Sequence, residues 1–337
     1  MRISRDKYLN DLVARKGNGM VKVVTGARRC GKTYLLFDLF EDHLRAQGVD
    51  DDHIIEIALD DLMHERYRDP LALYDYVRSR ITNREEPYYV LLDEVQYAIS
   101  DEEMRGEEPP RLYGVLNGLL RMRNGLRRSQ ELDDLVDVLA SSIGALTNPP
   151  KIKATFTSVL HSGISTNTIM QYIGHLEDAF VIEEARRFDV KGRKYIGSPK
   201  KYYFEDMGLR NARLGFRQIE QTHIMENIVY NELRTRGYNV DVGVVDRRGT
   251  SEGVPYRKRL EVDFVANLGN RRCYIQSAYQ LPTPEKVAQE KASLLEIDDS
   301  FQKIVLVRDV VKPARDEHGI LTMSVYDFLL DPDSLTM

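Results

Sequence analysis

Residues 26–33 combine two glycines, a lysine and a threonine in the order G-x-x-x-x-G-K-T. In this pattern the glycines let the backbone curl until its N–H groups point at phosphate oxygens. The lysine then reaches the β- and γ-phosphates, and the threonine hydroxyl binds Mg²⁺. The spacing therefore predicts a phosphate-binding loop made of Gly26, Ala27, Arg28, Arg29, Cys30, Gly31, Lys32 and Thr33.

Two acids, Asp93 and Glu94, follow the apolar run at residues 88–92. Solvated acids at the end of a strand are common, but here they lie downstream of a phosphate loop. In that context Asp93 is expected to hold Mg²⁺ together with Thr33. Glu94 is expected to orient or deprotonate the attacking water. Lys32 and Glu94 are thus the predicted catalytic residues.

The remaining loop residues leave alternatives open. Arg28 and Arg29 either contact phosphate or point into solvent. Cys30 lies beside the predicted phosphates, so its oxidation could block binding, although a small loop residue is the simpler interpretation.

Strands and helices alternate around these residues, which favours a parallel α/β sheet that positions the loop and the acids. Apolar runs predict strands at 20–25, 53–59 and 88–95. Helical spacing predicts helices at 34–44, 69–81 and 111–124.

The pattern changes after residue 130. A helix is predicted at 131–143, a helix pair at 151–160 and 168–180, and a basic strand-like segment at 186–204. The helix pair is similar to a helix-turn-helix. A compact α/β domain follows, with helices at 222–236 and 284–295 and strands at 238–245, 260–266, 271–278 and 303–307.

The composition excludes several classes of protein. Lys and Arg number 48 against 53 Asp and Glu, for a net charge of −5, so a globally basic nucleic-acid coat protein is excluded. Two cysteines cannot form a disulfide scaffold. The sequence has no signal-peptide core and no run long enough to span a bilayer, which predicts a cytoplasmic protein without membrane contact.

Taken together, the phosphate loop and the Asp93-Glu94 strand end resemble prokaryotic AAA-type ATPases that carry a DUF4143 C-terminal region. The stretches LASSIG at 139–144, KYYFEDMGLRN at 201–211 and EVDFVA at 261–266 share that resemblance. It implies an ATP-binding P-loop domain at 1–128, a winged-helix-like region at 129–205 and a domain related to restriction-type nucleases at 206–337. The preference for ATP over GTP rests on the resemblance alone.

One departure from that family concerns the P-loop sheet. The family has a further strand ending in a polar sensor residue, and then an arginine-bearing segment. No apolar strand is visible between residues 124 and 132, so the sheet is expected to be incomplete and the chain internally shortened. Arg127 or Arg128 could replace the lost arginine. The sequence therefore supports ATP binding more strongly than ATP hydrolysis. It does not predict an oligomeric state.

Residues 186–201 carry seven cations and one acid. Such a segment suits contacts with DNA phosphates. The alternatives are a solvated hairpin and an interdomain surface that faces the acidic loop at 101–108. Winged helices also often serve only as protein-contact modules. The sequence thus predicts a DNA or protein partner for residues 150–205.

The last domain has part of a nuclease motif. Asp263 ends one predicted strand and Glu226 lies on the preceding helix, but the expected Glu-x-Lys reads Gln276-Ser277-Ala278. Gln276 lacks a charge and Ala278 lacks an amine, so nuclease activity is not expected.

Two functions remain after this survey. The first is an AAA-type protein whose bound ATP and Mg²⁺ set the pose of a C-terminal DNA- or protein-binding region. The alternative is a non-catalytic binding module that keeps a relic nucleotide site.

Overall fold

The computed structural model describes residues 5–18, 21–26, 30–83, 86–100, 103, 111–112, 130–215, 217, 220–251 and 254–335. The chain divides into two compact units. One comprises Met1–Gln130 with Asp178–Phe180, and the other comprises Glu131–Glu177 with Val181–Met337. The division into three domains at residues 128 and 205 stays a prediction. No helix in the described ranges is long and apolar enough to cross a membrane.

The first unit contains three α-helices and two strands in its described part. They are α1 (Asp6–Arg15), α2 (Glu41–Ala46), β1 (Ile54–Ala58), α3 (Pro70–Arg80) and β2 (Tyr89–Asp93). A π-helical segment, Tyr34–Phe40, leads directly into α2, so the predicted helix at 34–44 is present. Short 3₁₀ turns occupy Asp51–His53, Leu62–Arg68 and Val95–Ala98.

Strands β1 and β2 pair in parallel, from Ile54 opposite Tyr89 to Ala58 opposite Asp93. Helix α3 connects them, as the alternating pattern predicted. It begins at Pro70, and the Asp69 side chain accepts a hydrogen bond from the N–H of Ala72 at 3.1 Å. Proline at the first helical position and aspartate at the cap are both favoured there.

The predicted strand at 20–25 was wrong for its described part. Residues 21–26 belong to no strand, and Val23 is 42% exposed. An extended segment becomes a strand only where a neighbour pairs with its backbone, and β1 with β2 forms the whole described sheet of this unit. Residues 113–129, which include most of the predicted helix at 111–124 and the place of the missing strand, lie outside the described residues.

The second unit begins with three helices, α4 (Gln130–Ser141), α5 (Pro149–Ser158) and α6 (Thr166–Asp178). The following elements are β3 (Ile182–Asp189), β4 (Lys194–Phe204), α7 (Met207–Arg213), α8 (Gln221–Thr235), β5 (Asn239–Ser251), β6 (Val254–Leu268), β7 (Arg271–Ala278), α9 (Pro284–Leu295), β8 (Gln302–Val307), β9 (Ala314–Arg315), β10 (Leu321–Ser324) and α10 (Val325–Leu330).

Eight strands of this unit form one mixed sheet in the order β4-β3-β5-β6-β7-β8-β10-β9. The strand-like segment predicted at 186–204 is an antiparallel hairpin of β3 and β4, as the hairpin alternative held. The reason is a turn at 190–193, where the Asp189 carboxylate accepts from the N–H of Gly192 at 2.8 Å and Arg193 adopts a positive φ of 51°. Helix α8 packs its apolar face on this sheet through Met225, Val229 and Leu233.

Candidate functional site

The phosphate-loop glycines adopt conformations that suit glycine. Gly26 has φ 150° and Gly31 has φ 87°. A Cβ at Gly26 would lie 2.9 Å from the Cys30 sulfur, and one at Gly31 would lie 2.9 Å from a nitrogen of Arg5. The positive φ at both positions favours glycine, and a side chain there would also require Cys30 or Arg5 to shift. Ala27, Arg28 and Arg29 lie outside the described residues.

The two predicted magnesium ligands meet. The Thr33 hydroxyl donates a hydrogen bond to Oδ2 of Asp93 at 2.5 Å, although the residues are 60 positions apart. Strand β2 ends at Asp93, which is buried, while Thr33 directly precedes the π-helical segment. Lys32 turns back onto the loop, where its ammonium donates to the carbonyl of Gly26 at 3.0 Å.

This arrangement fits a magnesium ion. Mg²⁺ prefers oxygen ligands and is bound by one or two protein groups together with phosphates and waters. A hydroxyl and a carboxylate oxygen that converge on one point are such a pair of groups. Their mutual hydrogen bond places the two oxygens side by side, as two ligands of one ion would be.

Glu94 lies next to this pair in a left-handed conformation, with φ 52°. Its N–H donates to Oδ1 of Asp93 at 3.0 Å, and its own carboxylate accepts a hydrogen bond from the Gln96 amide. The backbone of Glu94 thus helps to fix Asp93, and Gln96 fixes the Glu94 side chain.

Sequence reasoning missed Arg5. Its guanidinium donates to the carbonyl of Cys30 and lies against Gly31, which brings a second cation to the phosphate loop. Arg5 belongs to the N-terminal segment rather than to the motif. Only its basic character, close to the start of the first unit, could have signalled this position.

A second cluster of ionisable groups lies in the second unit, at the position that a nuclease interpretation requires. The ammonium of Lys201, on β4, lies 2.8 Å from Oε1 of Glu226 on α8. It lies 2.7 Å from Oε1 of Glu261 on β6. Tyr203 donates to the same Glu226 oxygen at 2.6 Å. Asp263, also on β6, accepts from the N–H of Ser277 at 2.8 Å.

Burial and the charges of neighbouring groups shift the pKa values of Lys201 and Asp263. Burial lowers the pKa of Lys201, but the carboxylates of Glu226, Asp263 and Glu261 outweigh it and leave the pKa above its ordinary value. Burial, followed by the charge of Glu226, raises the pKa of Asp263 well above its usual range. Lys201 is therefore a charged internal counter-ion for the carboxylates.

These residues do not fit a nuclease metal. The cation between Glu226 and Glu261 is the ammonium of Lys201, and in the described part of the chain no group of three or more His, Cys, Asp or Glu side chains is arranged to hold a metal ion. Gln276 stands where the motif needs a carboxylate, and its Oε1 faces the N–H of Asp263 at 3.4 Å. The motif's lysine is absent from β7, and Lys201 on β4 instead places its ammonium between Glu226 and Glu261.

The basic segment at 186–201 is less exposed than its sequence indicates. Lys201 is only 3% exposed. Lys200 pairs with Glu184 at 2.6 Å, and Lys191 lies 3.7 Å from Glu296. The surface expected to contact DNA thus loses Lys201 to the interior and part of its charge to ion pairs.

Comparisons with known proteins support part of these interpretations. A family model described as an AAA domain matches residues 18–124. A domain of unknown function, DUF8612, matches residues 120–220, whereas the DUF4143 resemblance stays a prediction. The first unit therefore contains a region similar to AAA-type nucleotide-binding domains.

Two relatives extend over most of the chain. An uncharacterized protein of Haemophilus influenzae is 25% identical over 412 aligned positions, which cover 97% of this chain and 98% of that protein. Uncharacterized protein MJ1544 of Methanocaldococcus jannaschii is 23% identical, covering 86% and 82% of the two chains. Because 412 positions exceed the 337 residues of this chain, the H. influenzae protein carries residues without a counterpart here.

One solved structure, protein VC1899 from Vibrio cholerae, is similar over 96% of this chain and 86% of its own. Its sequence identity is 11% and its TM-score is 0.24.

Proposed function

We propose that this chain is an AAA-type P-loop protein that binds Mg-ATP and uses the bound nucleotide to control a C-terminal region that binds DNA or protein. The observation that carries the proposal is the meeting of Thr33 with Asp93 beside a loop whose two glycines adopt positive φ. The AAA-domain match at 18–124 supports nucleotide binding independently of that geometry.

Each residue has a defined task in this proposal. Loop N–H groups and the Lys32 ammonium bind the β- and γ-phosphates, and Thr33 with Asp93 holds the magnesium ion. The ion would neutralise phosphate charge. Glu94 is the residue that would position a water molecule, once its carboxylate leaves the amide of Gln96.

Calorimetric titration with Mg-ATP tests binding. We expect Lys32→Ala to weaken binding about a hundredfold or more, because a charge-assisted contact to phosphate is lost. Thr33→Val should weaken Mg-ATP binding but leave the affinity for metal-free ATP nearly unchanged. Thr33→Ser keeps the hydroxyl and is the matched control. Equal Mg-ATP affinity in wild type and Lys32→Ala would refute the proposal.

Hydrolysis is a separate step. Support for a shortened module comes from residues 21–26, which join no strand within the described part of the chain, and from the residues of the H. influenzae relative that have no counterpart here. We infer slow turnover or none in the isolated chain. Phosphate release by wild type, measured against Glu94→Gln, tests this inference.

A second candidate function is nucleic-acid or protein binding by residues 150–205. The order of α4, α5 and α6 followed by the β3–β4 hairpin supports a winged-helix-like arrangement. Ser165 caps α6 by accepting from the N–H of Thr168 at 3.1 Å. Gel shifts of duplex DNA over a salt series test this role, because phosphate contacts give a steep salt dependence. Binding that does not respond to salt would favour a protein partner.

For the C-terminal domain we retain only the proposal of a fold related to restriction-type nucleases, without nuclease activity. The internal ammonium of Lys201 supports a nuclease-like domain without metal chemistry. The cytoplasmic location also remains a proposal, based on the sequence alone.

A further inference from the structure

The second unit contains a cavity of about 670 Å³ that the nucleotide proposal does not use. Its walls are the β3–β4 turn, the β6–β7 turn and the segment that follows α9. Its size falls within the range of small-molecule and cofactor sites. Along β7, the cavity residues Arg271 and Arg272 lie at the start of the strand, about 16 Å before Gln276. The cavity is therefore separate from the Lys201 cluster.

Four cations line this cavity, Lys191, Arg193, Arg271 and Arg272. Arg193 and Arg271 are exposed, and within the described ranges neither forms an ion pair. Guanidinium groups bind phosphate through two parallel hydrogen bonds, which favours such pairs of arginines as phosphate sites.

Two acids, Asp298 and Asp299, also line the cavity, so its four cations exceed its acids by two. Asp299 is already engaged, because its carboxylate accepts from the Tyr274 hydroxyl at 2.6 Å and from the N–H of Phe301 at 3.2 Å. These bonds fix the segment after α9 to the sheet. Asp298 is exposed at the surface. An anion that enters the cavity thus meets an excess of cationic donors.

An aromatic ring lies beside the cations. Phe301 is 40% exposed, although large apolar side chains are usually buried. The guanidinium of Arg272 lies 5.5 Å from the Phe301 ring and 5.3 Å from the Phe188 ring, and its Nε donates to Asn267 at 2.7 Å. Arg272 is therefore held in place, and Phe301 presents part of its ring to a ligand.

We propose that this cavity binds a nucleoside phosphate, with the phosphate on Arg193 and Arg271 and the base stacked on Phe301. Phosphate contacts beside an aromatic ring are the combination by which proteins hold unpaired nucleotides. The ligand is a free nucleotide or a nucleotide within a single strand. The proposal goes beyond ATP binding by the phosphate loop and does not rest on it.

Fluorescence anisotropy with labelled oligothymidylate, without ATP or Mg²⁺, tests the site in the full chain. We expect the double variant Arg193→Glu and Arg271→Glu to weaken binding about tenfold or more and to reduce the salt dependence. The matched control is Lys258→Glu with Lys312→Glu, which changes the net charge equally at two exposed lysines outside the cavity. Equal losses in the two double variants would overturn the proposal.

A second set of variants tests stacking. Phe301→Leu should weaken oligothymidylate binding about tenfold, and Phe301→Tyr should restore it. Inorganic polyphosphate that competes as well as oligothymidylate, with no effect of Phe301→Leu, would reduce the cavity to a general anion site and refute the nucleoside assignment.

Competition by thymidine monophosphate separates the two sources of the ligand. Strong competition assigns the cavity to free nucleotides, and competition by oligonucleotides alone assigns it to single strands. The same measurements on Lys32→Ala should be unchanged, because that lysine belongs to the phosphate loop. A failure of ATP binding and a failure of this site are therefore distinguishable.

Discussion

The sequence around Lys201 indicates an exposed basic residue, but its side chain is buried. Lys201 follows Lys200 in a basic segment, yet its ammonium lies between two carboxylates in the interior of the second unit. A buried ion pair contributes little net stability compared with apolar residues of similar volume. Removal of one partner, however, leaves a buried charge uncompensated and costs about 3–5 kcal/mol.

We therefore expect Lys201→Met to lower the free energy of unfolding by about 3–5 kcal/mol, because Glu226 and Glu261 lose their counter-ion. Its neighbour supplies the control. Lys200 pairs with Glu184 near the surface, so Lys200→Met should cost about 0–1 kcal/mol. Urea denaturation of both variants measures the difference. Equal costs would mean that the buried pair is not an energetic unit.

Glu56 is a second residue whose charge depends on its neighbours. Burial, and then its hydrogen bond with Glu41 and the charge of that residue, raise the pKa of Glu56 to about 7 from 4.5. Between these values the folded state keeps a proton that the unfolded state has lost. The free energy of unfolding from this group is therefore greatest below pH 4.5 and falls as the pH rises to about 7.

Glu56→Gln should remove that slope, because the amide imitates the protonated acid at every pH. The variant is expected to be more stable than wild type above the window and to lose the advantage below it. Urea midpoints on both sides of the window measure the effect. Glu65→Gln is the control, since the Glu65 side chain is 67% exposed. Parallel pH profiles for wild type and Glu56→Gln would contradict the raised pKa.

At the scale of elements, a buried asparagine ties a helix to a strand. Asn227 on α8 is fully buried and bonds both backbone groups of Phe204 at the end of β4. Its Oδ1 accepts from the N–H of Phe204 at 2.8 Å, and its Nδ2 donates to the carbonyl at 2.8 Å. Asn231 also donates to that carbonyl, at 2.9 Å.

Asn227→Ala should thus lower the free energy of unfolding by about 1–3 kcal/mol, because the N–H of Phe204 loses its partner in the interior. Asn231→Ala should cost less, because the carbonyl of Phe204 keeps its bond to Asn227. Thermal unfolding of the two variants compares them. The reverse order would show that the carbonyl, rather than the N–H, holds β4 against α8.

Elements with a strong period could be predicted from the sequence. The helices at 69–81 and 284–295 and the strand at 271–278 are present within a residue or two of their predicted bounds. The strand predicted at 20–25 was wrong for its described part. Apolar content is a local property of the sequence, whereas a strand also needs a neighbouring strand to pair with. Strands β9 and β10 and helix α10 have between two and six residues each, too few to show a period.

At the scale of the whole molecule, the phosphate-loop site and the Lys201 cluster differ in how far each could be predicted from the sequence. The phosphate loop is one continuous motif and Asp93 ends a separate apolar run, so the two signals together predicted that Thr33 and Asp93 would act at one site, although their roles stay predictions. The Lys201 cluster combines β4, α8 and β6, and its members are recognised only when the sheet brings them together. The aromatic residues Tyr202, Tyr203 and Phe204, which directly follow Lys201, are the sequence feature that could have placed this end of β4 in the interior.

The two units contain separate hydrophobic cores. Leu73 and Val77 belong to a core of the first unit, and Val229 and Phe264 belong to a core of the second. Each unit can therefore unfold as a cooperative body of its own, and scanning calorimetry should show two transitions. If the phosphate loop binds Mg-ATP, the nucleotide should directly stabilise the unit that contains it, and it should affect the second unit to the extent that the proposed control couples the two.

Saturating Mg-ATP, at about 100 times its dissociation constant, should add about 2.7 kcal/mol to the stability of that unit. The transition of that unit should move to higher temperature, and any accompanying shift of the other transition measures the proposed coupling; no shift of the other transition would argue against control of the C-terminal region. Lys32→Ala should keep both transitions at their nucleotide-free temperatures and abolish the shift. If both transitions moved together in wild type, the nucleotide would be coupled to the second unit as well. A shift that survived in Lys32→Ala would place the nucleotide at another site, and the cavity beside Phe301 would then be the first to test.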